Sequence, residues 1–369
     1  MKFRCEREVL ADALATAGRA ATSRTGTLPV LSGLRLEVTG DQLSVTGTDL
    51  ELSIRLTVAV GGERDGAVVV PARLVADIVR ALPAGAVEVA LTEGTGDDTV
   101  SISAGRSQFS IRPLGLDDYP VQVEPAAEAV TLSSAAVSEA LRQVVRAAST
   151  DDARAVLTGV LIAAEDGGGV RLVATDSYRL AVRDLPDNEM LAGGQKVLVP
   201  GRALNELQRL LGGNQELKVR LGARDAVFEA GGTRLTTRLI EGEYPNYRNL
   251  LPSSYPNVLT VGREALLEAL RRVKILAQDA TPVRLALGGE TLVLTAITQD
   301  VGNASEEIDA TYSGTEMTVA FNPDYLSAGV DAIDAEEITL STLDPMKPAV
   351  IRAVGRDDYL YLLMPVRVP

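Results

Sequence analysis

Residues 68–83 read VVVPARLVADIVRALP, an extended apolar run that stops at a proline and continues as an amphipathic helix. The same pattern returns at 197–213, VLVPGRALNELQRLLGG, and at 319–334, VAFNPDYLSAGVDAID. The three prolines, Pro71, Pro200 and Pro323, stand about 125 residues apart. Proline is expected in a helical first turn, where its missing N–H has no partner to lose. A second mark keeps the interval: an aspartate after a Thr-rich strand, at Asp49 in SVTGTDLELSIRL, at Asp176 in LVATDSYRLAVRDL and, more loosely, at Asp300 in LTAITQDVGNASEEI. A third mark joins two copies, since RSQFSIRPLGLDDYP ends at Pro120 and TRLTTRLIEGEYP at Pro245. A period this long exceeds any solenoid or propeller unit, so each copy is a whole domain.

Each copy opens with a second helical stretch, at 8–20, 134–148 and 263–277. In the third, apolar residues return at three and four: Leu266, Leu267, Leu270, Val273 and Leu276. Between the helices lie alternating segments such as LRLEVTGDQLSVTGTDLELSIRLTVAV and VRLALGGETLVLTAIT, pairs of strands around short Gly- or Asp-bearing turns. The expected fold is α+β: three repeated domains, each of two helices packed on antiparallel sheets of about eight strands in all. Pro and small polar residues cluster at 124–130 (EPAAEAV) and 251–257 (LPSSYPN), which places the domains at 1–125, 126–253 and 254–369.

A length of 369 residues suits three domains of ordinary size. With 46% hydrophobic and 23% charged residues the composition is that of a soluble globular protein, and no apolar run is long enough for a membrane span. The opening MKFRCEREVL places charges where a secretion signal needs an apolar stretch, so a cytoplasmic protein is expected. Cys5 is the only cysteine; it reads as a small apolar residue beside Phe3 on the inner face of the first strand.

Catalysis is not expected. The chain has no histidine, hence no imidazole base, no common zinc site and no Ser-His-Asp arrangement. Asp49, Asp176 and Asp300 occur once per domain and cannot converge on one metal; with the preceding threonines they read as turn caps. The glycines of AEDGGGV lack the Lys and Ser or Thr of a phosphate loop and fall in a hairpin. No cofactor or metal is implied. Charge is more suggestive: the chain carries −14 overall, while the segments 7–24, 71–82, 133–148, 200–211, 262–277 and 322–334 hold 13 basic against 10 acidic residues. The net charge speaks against a protein that coats nucleic acid with its outer surface; either helix surfaces simply hold more Arg than strands do, or the helices line one concave, positively biased face while an acidic exterior repels non-specific contact.

The residues also carry a resemblance. MKF at the start, TLPVLSGLRLEV, TGTDLE, VPARLVADIVRALP, GRSQFSI followed by DDYP, VATDSYRLAV, EGEYPNYRNLLP, TYSG followed by FNPDYL, and the terminal MPVRV are similar, in this order, to the bacterial DNA polymerase III β subunits, the sliding clamps. The resemblance implies three clamp domains per subunit, two subunits head to tail, and a ring with helices inside and sheet outside. Such a homodimer encircles double-stranded DNA without reading its sequence, as a non-catalytic processivity factor in the cytoplasm, at the nucleoid during replication. It further implies DNA contact by Arg24, Arg73, Arg154 and Arg202. TDDARAVLTG departs from some relatives at Asp151 and Ala155, so the expected contacts lean on the arginines.

The same resemblance implies a peptide pocket between the middle and last domains. Its expected residues in the middle domain are Leu157, Thr175, Ser177, Tyr178, Arg179 and Leu180, then Pro245, Asn249 and Leu250. The last domain adds Pro348, Leu362, Leu363, Met364, Pro365, Val366 and Arg367. Independently, the tail LYLLMPVRVP ends on apolar residues where charge would be usual, which reads as a surface meant to be covered or, alternatively, as an edge strand whose apolar residues belong to the last domain's core. The implied ligands are short segments with a Gln near the start and Leu and Phe at the end, borne by the DNA polymerase III alpha subunit, the clamp loader delta subunit and other clamp-motif proteins. The alternative is a duplicate clamp homologue serving inhibitor resistance or competing for partner peptides.

Overall fold

The computed structural model describes residues 1–21, 28–92, 98–120, 128–186, 188, 190–212, 216–251, 254–277 and 281–367. The first third holds β1 (Lys2–Glu6), α1 (Arg7–Gly18), β2 (Gly33–Thr39), β3 (Gln42–Thr48), β4 (Leu52–Ala59), β5 (Gly61–Arg64), β6 (Gly66–Pro71), α2 (Ala72–Ala81), β7 (Ala86–Thr92), β8 (Thr99–Ala104) and β9 (Ser107–Ile111). The second holds β10 (Val130–Ser133), α3 (Ser134–Val144), β11 (Gly159–Ala164), β12 (Val170–Thr175), β13 (Arg179–Leu185), β14 (Lys196–Pro200), α4 (Gly201–Leu210), β15 (Glu216–Leu221), β16 (Asp225–Ala230) and β17 (Thr233–Arg238). The last holds β18 (Asn257–Gly262), α5 (Arg263–Lys274), β19 (Val283–Gly288), β20 (Thr291–Thr298), β21 (Gly302–Ser313), β22 (Met317–Phe321), α6 (Pro323–Asp331), β23 (Glu337–Thr342), β24 (Ala349–Ala353) and β25 (Tyr359–Leu363).

The predicted pair of helices thus recurs in each third, at shifted boundaries. Pro71 and Pro200 close strands β6 and β14, opposite Gly33 and Gly159, instead of sitting inside helices. At φ −58° and ψ 116° Pro71 is still extended, and the helix begins one residue later. Only Pro323 lies in a helical first turn, where Asn322 Oδ1 accepts from the N–H groups of Asp324 (2.9 Å) and Tyr325 (3.1 Å).

The strands form three antiparallel sheets, ordered β5-β1-β7-β8-β9, β10-β15-β16-β17-β4-β3-β2-β6, and β14-β11-β12-β13-β25-β24-β23-β18-β21-β20-β19-β22. By its contacts the chain divides into two compact units, Met1–Ala135 with Glu206–Leu239, and Ala136–Asn205 with Ile240–Pro369. In the first unit, Leu10 and Leu14 of α1 and Leu34, Leu36, Leu43, Val45 and Ile54 of β2–β4 are buried, with Cys5 and Phe3 buried together on β1 as expected. In the second unit the core takes Leu266, Leu267 and Leu270 of α5 with Leu285, Leu292, Leu294 and Leu340 of the sheet. The middle third is shared: β10 and β15–β17 belong to the first unit, β11–β14 to the second. Two strand pairings do this, β17 on β4 from Thr233↔Leu56 to Thr237↔Leu52, and β13 on β25 from Arg179↔Leu363 to Arg183↔Tyr359.

The repeated aspartates cap turns. Asp49 Oδ1 accepts from Glu51 (3.1 Å) and Leu52 (2.8 Å), and Asp176 Oδ1 from Tyr178 (2.9 Å) and Arg179 (3.0 Å). Thr48 and Thr175 support the same frame, each accepting at Oγ1 from the N–H two residues on. The third copy differs, for Asp300 itself takes the left-handed conformation (φ 61°). Asn257, read as the end of a polar link, is buried as the first residue of β18, where its amide donates to Thr342 and Leu343 and accepts from Thr315.

Candidate functional site

In the second unit the turn from β12 into β13 meets the end of β25. Thr175 Oγ1 donates to Arg179 O at 2.6 Å, Asp176 Oδ1 takes two N–H groups, and Ser177 is held at φ 81°. A turn this tight has no room to tuck Tyr178 inward, and its side chain is 59% exposed. Arg179 turns back: Nε donates to Asp176 Oδ2 at 2.9 Å and the guanidinium stands 4.4 Å from the centre of the Tyr325 ring. Tyr178 and Tyr325 lie 6.4 Å apart, tilted. Below them Tyr361 is buried and donates its hydroxyl to Tyr325 O (3.0 Å); burial pushes that hydroxyl up to about 12.

The chain leaving β25 is stitched to this turn. Met364 N–H donates to Tyr178 O at 2.9 Å, and Val366 N–H to Ala320 O at 2.7 Å. On the opposite face of the β13–β25 pair from Arg179 and Tyr361 is an apolar cluster in which Leu180 and Leu362 join Leu161, Val173, Tyr247, Val350 and Leu360. The exposed rim is apolar as well: Tyr178, Leu250 (46%), Met364 (36%) and Val366 (37%). Apolar surface left open beside a packed floor, with an arginine held at its edge, suits a short segment with apolar anchors and a polar end.

Of the predicted pocket residues, Thr175, Ser177, Tyr178, Arg179, Leu180, Leu362 and Met364 come together here. Leu157 is buried in the short 3-10 segment Asp152–Thr158, and Pro245 and Leu250 flank buried Tyr247. Leu363 is fully buried, directly opposite Arg179 in register. Strand residues alternate, and Leu363 shares its side of β25 with Tyr359, whose hydroxyl donates to Gln143 O of α3. Pro365 is half-buried beside Met364; Asn249, Pro348 and Arg367 make no hydrogen bond or ion pair to the turn among the described residues. Tyr325 was not foreseen. Its only sequence signal is its place two residues after Pro323, in the first turn of α6.

Arg24 lies outside the described residues. Arg73 and Arg202 stand exposed at matching places, the second residue of α2 and of α4; the third copy has Asp324 there. Arg154 goes elsewhere: it donates to Asp151 Oδ2 (3.0 Å), Asp176 O (3.3 Å) and Ser177 Oγ (3.2 Å), which draws it to the turn. Many other helical cations are already engaged, Arg272 with Glu306, Lys274 with Asp324 and Arg146 with Asp331. Among the described residues Arg73 and Arg271 make no hydrogen bond or ion pair, so they keep their charge for a ligand.

Comparison with known proteins agrees along the whole chain. Family models for the N-terminal, central and C-terminal domains of the DNA polymerase III beta subunit match residues 1–123, 131–246 and 248–367. A beta sliding clamp of Streptomyces coelicolor is 37% identical over the full length of both chains. Among solved structures, the C. crescentus beta sliding clamp has a TM-score of 0.93 at 29% identity, covering 100% of this chain and 99% of that one. A sliding clamp from Pseudomonas aeruginosa bound to griselimycin has a TM-score of 0.90 at 30% identity, with full coverage of both chains.

Proposed function

The chain belongs to the DNA polymerase III beta subunit family, the sliding clamps, and from that premise we propose that two copies close head to tail around duplex DNA and tether partners by short peptides. As a clamp it is a non-catalytic processivity factor in DNA replication. The observation that carries the ring is a pair of open strand edges. In the first unit β9 ends its sheet with one edge unpaired among the described residues, and Phe109 is exposed. In the second unit the stretch 302–309 of β21 pairs, among the described residues, only with β20, near exposed Ile275, Ile297 and Val301. Unpaired edges with apolar neighbours invite strand addition, and an edge on one copy joined to a different edge on the next is the heterologous contact that closes a ring.

Arg73 and Arg202, with Arg24, supply loose phosphate contacts, and topology supplies retention. The domains divide at 1–125, 126–253 and 254–369. The peptide site is the Thr175–Leu180 turn with Leu157, Leu250, Leu362 and Met364, and its ligands are segments of the polymerase alpha subunit and the clamp loader delta subunit. Arg154 acts at this turn more than at DNA. The protein works in the cytoplasm, at the nucleoid.

Loaded onto a nicked circle by its clamp loader, the protein should survive a salt wash and leave when the circle is cut. Equal loss from circular and linear DNA would sink the encirclement. Arg24, Arg73 and Arg202 changed together to Ala should weaken loading and flatten the salt dependence by roughly two to three units, at about 0.9 per phosphate contact.

A further inference from the structure

On the solvent face of the first unit, a cavity of about 710 Å³ lies over the strands β15, β16, β17 and β4. Lys218, Glu229, Arg234 and Arg55 form one row across it, each directly opposite the next in register. Their buried counterparts Val219, Phe228, Leu235 and Ile54 form the neighbouring row on the core side, so the charged row faces outward. At the usual spacing between strands the row spans roughly 15 Å.

Two features of this row are unusual. Arg234 faces Arg55, and like charges directly opposite each other destabilise a strand pair. The nearest carboxylate serves only one of the pair: Glu229 is held by Arg234 at 2.5 Å and shared with Arg220 at 3.0 Å, on the far side from Arg55. Arg55 itself donates to Ser44 Oγ at 2.8 Å and meets no carboxylate among the described residues. Glu216 lines the cavity too, yet with Arg220 the patch still carries more cations than carboxylates, on a chain of net charge −14. The rim is the Gly231–Gly232 turn, with φ of 56° and 78°, where the absence of side chains leaves the cavity open.

We propose that this face binds a small ligand carrying two or more phosphate groups, with the facing guanidiniums of Arg55 and Arg234 on one phosphate and Lys218 on the next. A single carboxylate neutralises only one of two facing guanidiniums. A phosphate brings nearly two charges and oxygens matched to the guanidinium fork, so it relieves both. The cavity volume is in the range of small-molecule sites.

Calorimetric titration of the full-length protein with inorganic tripolyphosphate should show one saturable site per chain that weakens with salt. Affinity should fall at least tenfold in Arg55→Gln and in Lys218→Gln, while Arg55→Lys recovers part of it. Without ligand, Arg55→Gln should melt at the wild-type temperature or above, because a repulsion is gone; with tripolyphosphate only the wild type should gain. ATP in a parallel titration should bind through the same residues. No binding by the wild type, equal binding by Arg55→Gln, or loss confined to an Arg73→Ala control would overturn the proposal. So would binding of a polyglutamate peptide with none of tripolyphosphate, or a lowered melting temperature of free Arg55→Gln, which would make Arg55 structural.

Discussion

Asp176 uses its two oxygens for different ends. Oδ1 closes the turn, as Oδ1 of Asp49 does in the first copy, while Oδ2 holds Arg179; the first copy has Leu52 at that place and so keeps the turn without the cation. The turn was legible because it repeats and because an Asx cap needs only neighbours in sequence. The stacking of Arg179 on Tyr325 was not, since it joins segments far apart in the chain by a contact that leaves no local pattern. Leu363 lies on the helix side of β25, the side of Tyr361 and of its register partner Arg179, a placement that follows from strand alternation alone. Met364, half open and tied to Tyr178 through its backbone, should be an anchor for a bound peptide. Met364→Ala should cost about 1–2 kcal/mol of binding, and deletion of residues 364–369 should abolish it while the dimer persists. A fluorescent peptide ending in Leu-Phe reads this out; unchanged affinity in the truncated protein would move the partner site elsewhere.

At the scale of elements, the end of α6 gathers side chains from α3, from the 3-10 turn Val145–Ala147 that follows it, and from α5. Arg142 donates to Asp331 O (3.2 Å), Arg146 to Ala328 O (3.1 Å) and Asp331 Oδ2 (3.0 Å), Gln143 to Ala332 O (3.3 Å), and Arg263 of α5 to Asp331 O (3.3 Å). A helix C-terminus leaves its last carbonyls unpaired and carries partial negative charge, so cations and amides belong there. Arg146→Met should lower unfolding stability by about 1–2 kcal/mol, reduced from the buried value because the side chain keeps some access to water. One turn earlier Gly329 lets α6 lie against the Tyr361 ring, which a Cβ would strike. Gly329→Ala should cost about 1–3 kcal/mol through overpacking, despite the better helix propensity of alanine. Urea midpoints at unchanged slope would measure both; a Gly329→Ala protein as stable as wild type would show that Tyr361 can move aside. Helix periodicity was readable from the sequence, but which helix end receives which arginine depends on packing between repeats.

For the whole molecule, the sequence shows three copies and the contacts show two compact units. Repetition was legible because it lies along the chain; the pairings of β17 with β4 and β13 with β25 were not, since register between distant strands has no local signal. In solution the protein should sediment as a dimer of twice its 38.9 kDa, and a monomer at micromolar concentration with and without DNA would exclude the ring. Heated, it should resolve no more than two cooperative transitions; three independent ones would contradict the shared middle third. The divided loyalty of that third has a consequence for the history and handling of the chain. Expressed alone, residues 126–253 would expose the edges of β17 and β13 and be prone to aggregate, although residues 131–246 match the family's central-domain model. The segment copied as a module should therefore be hard to lift out: a chain written in threes is expected to come apart in twos.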